Sequence, residues 1–329
     1  MQVTRGIYQF KIPIPDNPLG HLNSYLVEGK DGWLMIDTGW NTDEAFGALQ
    51  RELSALGLAL TDITTIIVTH VHPDHFGLVG RIKQMSPRTR LMTHRWEANL
   101  IESRYMKFAE LQDKMEALLK SHGVPSMNIS QLGSASMPAL KFVTMTLSDN
   151  PLYGGEIIST GIYDLEVIWT PGHSPGHICL YEPQNKLLFS GDHILPSISS
   201  NISYHVESGD DPLGNYLYAL HKLENMPVTS VLPAHEDIFT NLRGRVDEIV
   251  AHHDARLAEI TRAVARKPQH AYDISAQITW NTAKAGWENL PPLHKRSAVL
   301  ETVAHLEYMR RMGKVKRVTR DGLFIYALA

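Results

Sequence analysis

Cysteine is almost absent from this chain. The one thiol, Cys179, excludes an intramolecular disulfide and any metal site built mainly from thiolates, and nothing points to an oxidising compartment. It falls in a short apolar stretch and reads as a small buried hydrophobe rather than a ligand. Long apolar runs are missing as well. None approaches the roughly 18 residues of a membrane-spanning helix, and the first ten residues lack the apolar core of a secretion signal. The expectation is a soluble, cytoplasmic protein with no membrane partner. Its 329 residues, 43% hydrophobic and 20% charged, suffice for one large domain and a small one.

What the chain has in excess is histidine, 17 in all. Scattered cases such as His94, His122, His221 and His294 read as surface or partly buried side chains. A different pattern stands at 69–75, Thr69-His70-Val71-His72-Pro73-Asp74-His75, between an apolar β-branched run and the small-residue start of a helix. Four potential metal ligands within six residues are hard to explain as core, because burial leaves their polar atoms unsatisfied unless something binds them. Three more potential ligands, His173, Asp192 and His235, each stand just after a short apolar strand, predicted over 163–169, 187–190 and 229–232.

The order of elements is that of an α/β protein. Strands are predicted over 2–12, 21–28 and 33–36, a helix over 43–57 and a strand over 66–69 that ends at the histidine cluster. Residues 95–150 break the pattern. A helix over 96–122 and a Ser-, Gly-, Pro- and Met-rich stretch after it form an insertion that holds five of the twelve methionines: Met106, Met115, Met127, Met137 and Met145. The insertion reads as a helical cap with its own small core, or more sharply as an apolar wall over the active site. After 154 the α/β order resumes, with a helix over 211–225.

Seven ligands partition into two metal positions. His70 and His72, at i and i+2 in extended backbone, project to one side and His173 completes their set. Asp74 and His75 come after the turn and with His235 hold a second ion, while Asp192, with two oxygens, bridges. Two metals roughly 3.5–4 Å apart share a water-derived hydroxide suited to hydrolysis. Zinc is the expected metal, and manganese or iron would accept the same donors. His177 is a hydrogen-bonding support for this set, and Tyr204 and His205, in a Ser- and Asn-rich loop, are candidates for substrate contact. His193 is left open between these roles.

At these residues the sequence resembles the metallo-β-lactamase-fold hydrolases. Residues 69–75 match their T-H-x-H-x-D-H signature, and His173, Asp192 and His235 match the later ligand positions in order. Asn23 and Asp37-Thr38-Gly39 resemble upstream features, which implies that Asp37 orients a ligand. The fold implied is a four-layer αββα sandwich with the metals at one edge of two facing sheets. Asp192 stands where true metallo-β-lactamases usually lack aspartate, which disfavours antibiotic hydrolysis and favours the glyoxalase II-like thioesterases, lactonases and phosphodiesterases. His72 excludes the H-x-E-x-D variant of the di-iron relatives, whereas a mononuclear iron dioxygenase is not separated by ligands alone. The expectation is a dinuclear hydrolase that uses a metal-bridged hydroxide on a small, partly apolar ester, thioester or lactone, with Asp74 also relaying the water's proton.

Residues 245–329 are expected to be a separate unit beside a catalytic domain over 1–244. Three helices, over 245–266, 272–279 and 294–312, and a hairpin around Asp321-Gly322 resemble a winged-helix domain. This segment holds 14 Lys and Arg against 9 Asp and Glu, with Arg310, Arg311, Lys314, Lys316, Arg317 and Arg320 clustered. One reading is a nucleic-acid contact, which makes a phosphodiesterase or endoribonuclease the alternative function. The favoured reading is a solvated helix end, with the unit serving for packing or for a homodimer, because the remainder of the chain is acidic and repels a polyanion.

Overall fold

A computed structural model describes residues 1–280 and 286–329. Seven strands form the first sheet in chain order, β1 (Gln2–Thr4), β2 (Ile7–Pro13), β3 (His21–Gly29), β4 (Gly32–Ile36), β5 (Ile63–Val68), β6 (Arg90–His94) and β7 (Asn150–Leu152). The first four pair antiparallel and the last four parallel. A second sheet runs β12-β11-β10-β9-β8, from β8 (Ile157–Ser159), β9 (Asp164–Trp169), β10 (Ile178–Glu182), β11 (Leu187–Gly191) and β12 (Ser230–Pro233).

Alternation along the strands builds the layers. Leu34, Ile36 and Ile67 face Val167, Leu180, Phe189 and Leu232 across the gap between the sheets. Their neighbours Met35, Ile66 and Val68 turn outward, onto Phe46, Leu49 and Leu53 of α1 (Asp43–Ala55) and onto Phe76 and Val79, from α2 (Pro73–Phe76) and α3 (Val79–Met85). The outer face of the second sheet, with Cys179, Leu188 and Val231, is covered by Leu213, Leu220 and Leu223 of α8 (Pro212–Leu223) and by Val246 and Ile249 of α9 (Leu242–Arg266). The result is the αββα sandwich, with helices on both outer faces. Helix α1 starts where Thr42 Oγ1 accepts from the Ala45 N–H, with Asp43 and Glu44 complementing the dipole.

The insertion is α4 (Arg95–Tyr105), α5 (Phe108–Ser121), α6 (Ser126–Gly133) and α7 (Met137–Leu140). The single helix predicted over 96–122 is therefore two helices, broken at Met106 and Lys107. The strand predicted over 2–12 is also two, turned at Gly6, whose φ of 69° and close approach to Glu28 suit glycine. Strands β6, β7 and β8, of three to five residues, were not predicted.

The terminal segment holds α10 (Ala271–Ser275), α11 (Pro292–Arg311), and the hairpin β13 (Val315–Arg320) with β14 (Leu323–Leu328). Position 245 lies inside α9, whose first turns pack on the second sheet while Ile260, Ala263 and Val264 enter the terminal core. Val299 and Leu300 of α11 share a further cluster with Leu119, Val124 and Leu132 of the insertion, so the insertion's small core is not its own. His94 and His122, expected at or near the surface, are both buried.

Candidate metal centre

All the ligand candidates come from segments that leave strands at one edge of the sandwich. His70 and His72 follow β5, and Pro73 starts α2 with His72 extended before it, as a residue preceding proline prefers. Asp74 and His75 thus lie on α2, with the His75 ring centroid 4.0 Å from that of His70. His173 follows β9, Asp192 follows β11 and His235 follows β12. Gly191 has a φ of 51°, and a Cβ there would stand 2.6 Å from His177 Nε2, so glycine lets β11 close on that ring.

Two triads result. His70 Nε2, His72 Nδ1 and His173 Nε2 lie 2.8, 3.1 and 3.2 Å from one another. In the second triad, His235 Nε2 stands 3.3 Å and His75 Nε2 3.8 Å from Asp74 Oδ2. Asp192 lies between them. Its Oδ2 is 3.5 Å from His173 Nε2 and 3.9 Å from His70 Nε2, whereas its Oδ1 is 3.5 Å from His75 Nε2 and 3.4 Å from His235 Nε2.

Hydrogen bonds behind the rings decide which nitrogen faces inward. The Nδ1–H of His75 donates to Asp37 Oδ2 at 2.8 Å, that of His173 to the Asn201 carbonyl at 3.0 Å, and that of His235 to the His21 carbonyl at 3.1 Å. Each leaves an Nε2 lone pair aimed at the centre. His75 Nε2, His235 Nε2 and Asp192 Oδ1 are buried with no hydrogen-bond partner among the described residues. Three such orphans together, in a polar cluster, are what a cation would satisfy. Tetrahedral zinc with bonds of about 2.05 Å sets its ligands roughly 3.3 Å apart, close to the first triad's spacing. The residues present therefore fit two divalent cations.

Electrostatics follow the same division. Burial and the surrounding imidazoles push His70 and His72 well below the ordinary histidine range. Burial opposes charge on His75 and His235 too, but Asp37 and Asp192 at the first, and Asp192 and Asp74 at the second, outweigh it and raise both. Against the same burial, His75 and His235 hold Asp192 well below the usual carboxylate range.

The supports reach further than the ligands. Asp37, at a φ of 57° rare for a non-glycine residue, accepts from the Thr69 N–H and hydroxyl, each at 2.8 Å, as well as from His75. Asn23 Nδ2 donates to the Pro233 and Glu236 carbonyls at 3.0 and 2.7 Å and so pins the His235 loop. His177 Nε2 accepts from the Asp192 N–H at 3.1 Å while its Nδ1 donates to Thr170 Oγ1 at 2.8 Å, which ties the Asp192 backbone to the β9 end.

One support escaped prediction. Glu97 of α4 is fully buried and accepts from the Val71 N–H at 2.8 Å, from the Gly176 N–H at 2.9 Å and from the Ser174 hydroxyl. A single carboxylate thereby clamps the His70–His72 loop to the His173 loop. The signal was an acidic residue in register with Leu100 and Ile101, the apolar stripe of its helix. Tyr105 adds a hydroxyl bond to the Val71 carbonyl at 2.6 Å.

Of the residues expected near substrate, the two neighbours diverge. His205 lies in the loop whose Asn201 carbonyl accepts from His173, and burial, followed by the charges of Arg104 and Arg296, draws its ring down to about 3. Tyr204 instead packs into the apolar clusters beneath α9 and α11, its ring 6.5 Å from that of His122, because its backbone N–H is drawn to the Leu300 carbonyl. His193 is buried against Tyr216, ring centroids 4.8 Å apart, and donates no ligand. Cys179 is buried too, which pushes its thiol up to about 12. Four of the insertion's five methionines, Met106, Met127, Met137 and Met145, are exposed, and Met115 packs against the shared cluster.

Comparison with known proteins gives concordant results. A family model described as the metallo-beta-lactamase superfamily matches residues 18–235. A probable metallo-hydrolase of Bacillus subtilis, YqjP, is 27% identical over 315 residues, covering 93% of this chain and 92% of the relative. The solved structure of a metallo-beta-lactamase family protein from Thermus thermophilus superposes with a TM-score of 0.83 at 30% identity, covering 99% of this chain and 100% of that one. A beta-lactamase domain protein from Burkholderia ambifaria gives 0.78 at 29% identity, covering 100% and 94%.

Proposed function

The chain belongs to the metallo-β-lactamase superfamily, and from that premise we propose that it is a dinuclear metal-dependent hydrolase of carboxylic esters, thioesters or lactones of small substrates. The observation that carries this reading is Asp192, whose two oxygens are divided between the triads, 3.5 Å from His173 on one side and 3.4 Å from His235 on the other. His70, His72 and His173 would hold one divalent cation, Asp74, His75 and His235 the other, and Asp192 both. Bound there, such ions supply Lewis acidity and an acidified water at neutral pH, so no serine or cysteine nucleophile is needed.

The chain's own residues supply order and a proton acceptor. Asp37, Glu97, Asn23 and His177 hold the four ligand loops before substrate arrives. Asp74, its side chain 18% exposed against 12% for Asp192, is the more open carboxylate. It contacts His235 through Oδ2, which leaves Oδ1 to take the proton of the attacking water and pass it to the leaving group. Zinc is the proposed metal, with manganese or iron compatible with the same oxygen and nitrogen donors.

The alternative, a nuclease steered by the terminal cations, loses support because three of the six clustered cations are paired. Arg310 and Arg317 both bind Glu307, at 2.8 and 2.9 Å, and Arg311 lies 3.2 Å from Asp210. Metal-analysed protein assayed in parallel against an acyl-thioester, a lactone and single-stranded RNA tests the choice. Turnover of the thioester or lactone, insensitive to salt, is expected. Cleavage of RNA alone would overturn the reading.

A further inference from the structure

Beside the first triad the fold gathers two guanidinium groups with a single carboxylate, that of Glu207, near them. Arg104, in the last turn of α4, has a side chain only 15% exposed, and its neighbour Tyr105 bonds the Val71 carbonyl between His70 and His72 at 2.6 Å. Arg296 approaches from α11. Burial first, and then the charge of Arg104, draw it down to about 10. The loop of His205 runs between them: Glu207, 3.9 Å from Arg104, gives its N–H to His205 Nδ1, the Tyr204 N–H bonds the Leu300 carbonyl one turn along α11 from Arg296, and the Asn201 carbonyl accepts from the ligand His173. Three separate segments, the insertion, the loop after β11 and the terminal unit, thus meet at one side of the metal centre.

Structural roles account for only part of this arrangement. Arg296 Nη1 donates to the Leu132 and Gly133 carbonyls at 3.5 and 3.3 Å and to Ser136 Oγ at 3.3 Å, capping the end of α6. These acceptors are neutral, and Arg296 has no ion pair within 4 Å among the described residues. Arg104 has one acidic neighbour, Glu207, but at 3.9 Å from Nε the contact is too long for a hydrogen bond. Two cations therefore face one anion in a site that water reaches poorly, and a buried guanidinium is costly unless paired. His205 adds a donor of fixed polarity. Its Nδ1 accepts from the Glu207 N–H at 3.2 Å, so the neutral ring carries its proton on Nε2.

We propose that Arg104, Arg296 and the Nε2–H of His205 form a receptor for an anionic oxygen group of the substrate, a carboxylate or a phosphate remote from the scissile bond. Guanidinium forks suit either group by bidentate contact. The inference rests on the hydrolase reading in supposing that the anion belongs to a molecule cleaved at the neighbouring metals. It narrows that reading, since the expected apolar substrate acquires a charged end.

Two esters of equal length test it on the metal-loaded full chain: the monophenyl ester of glutaric acid, and phenyl pentanoate, which lacks the carboxylate. The wild type is expected to favour the acidic ester. Arg104→Gln should lower kcat/KM for that ester at least tenfold and leave phenyl pentanoate within twofold, and Arg296→Gln should act in the same direction. Equal losses on both esters, or none on either, would overturn the proposal. Calorimetric titration of the same proteins with glutarate and with inorganic phosphate is the second arm. Whichever anion binds the wild type names the group, and at least tenfold weaker binding to Arg104→Gln is required. If neither ester is cleaved, the hydrolase reading fails and this titration alone decides the receptor, with unchanged binding in the variant refuting it.

Discussion

His253 of α9 and His305 of α11 are as deeply buried as His70 and His75, yet the two groups of imidazoles are built on opposite plans. In the pair, His253 Nδ1 donates to His305 Nε2 at 3.1 Å, and His305 Nδ1 donates to the Glu301 carbonyl at 2.8 Å. Each ring proton meets an acceptor along a line, and the line ends in backbone. At the ligand loops His75, His173 and His235 donate outward and turn their lone pairs toward a common centre, where Asp74 and Asp192 add negative charge. Burial lowers His305 to about 3, whereas the carboxylates raise His75 against the same burial. Depth of burial therefore says little about ligation. Direction of the ring proton, and the sign of the charge nearby, separate a site from a core.

The sharpest way to break that contrast is to remove one residue from each group. Asp192→Ala is expected to reduce bound metal from two ions per chain to one or none, and to cut turnover by more than the roughly 10–100-fold that loss of an outer support costs. His305→Gln should leave metal content and turnover as they are. Elemental analysis beside a turnover assay reads both, and an Asp192→Ala protein that kept two metals and full activity would sink the bridging role. A smaller effect is expected from Glu97→Gln, which touches no metal but weakens the clamp on Val71, Ser174 and Gly176. Metal affinity should fall by roughly 10–100-fold with the circular-dichroism spectrum unchanged. An affinity equal to the wild type's would make Glu97 a helix-packing residue only.

The ligand positions were legible because chemistry and local structure coincide there. His173, Asp192 and His235 follow short apolar strands, and strand ends aim side chains rigidly. Glu97 was not, because its partners lie 26 and 79 residues away in the chain and only folding brings them together. The central strands and the helix at α1 showed their periods plainly. Position 245 falls within α9, where Leu242, Val246 and Ile249 continue one helical face onto the second sheet, so no change of element marks it. Burial of α11 was also hidden. Val299 and Leu300 face the insertion while Val303 and Leu306 face the terminal core, a two-sided contact that a single apolar stripe does not announce.

The weakest expected effect concerns pH, and it isolates the second group from the first. His305 titrates near 3 when folded against 6.5 unfolded, depressed by burial. Its contribution to stability is present above the unfolded value and lost as pH falls below it, about 2 kcal/mol by pH 5. Glu301, raised by burial to about 7 from 4.5 despite Arg256, has the opposite sign. Its stabilisation is present at low pH and is lost as pH rises through 7, again about 2 kcal/mol between pH 5 and 7. The two nearly cancel in the wild type. His305→Gln should therefore make the protein more stable at pH 5 relative to pH 7 than the wild type is, and Glu301→Gln should make it less so. Urea unfolding at the two pH values, with metal at the same concentration throughout, measures each difference. Shifts of the same sign in both variants would show that burial at this pair does not control its protons, and the contrast with the ligand loops would then fail.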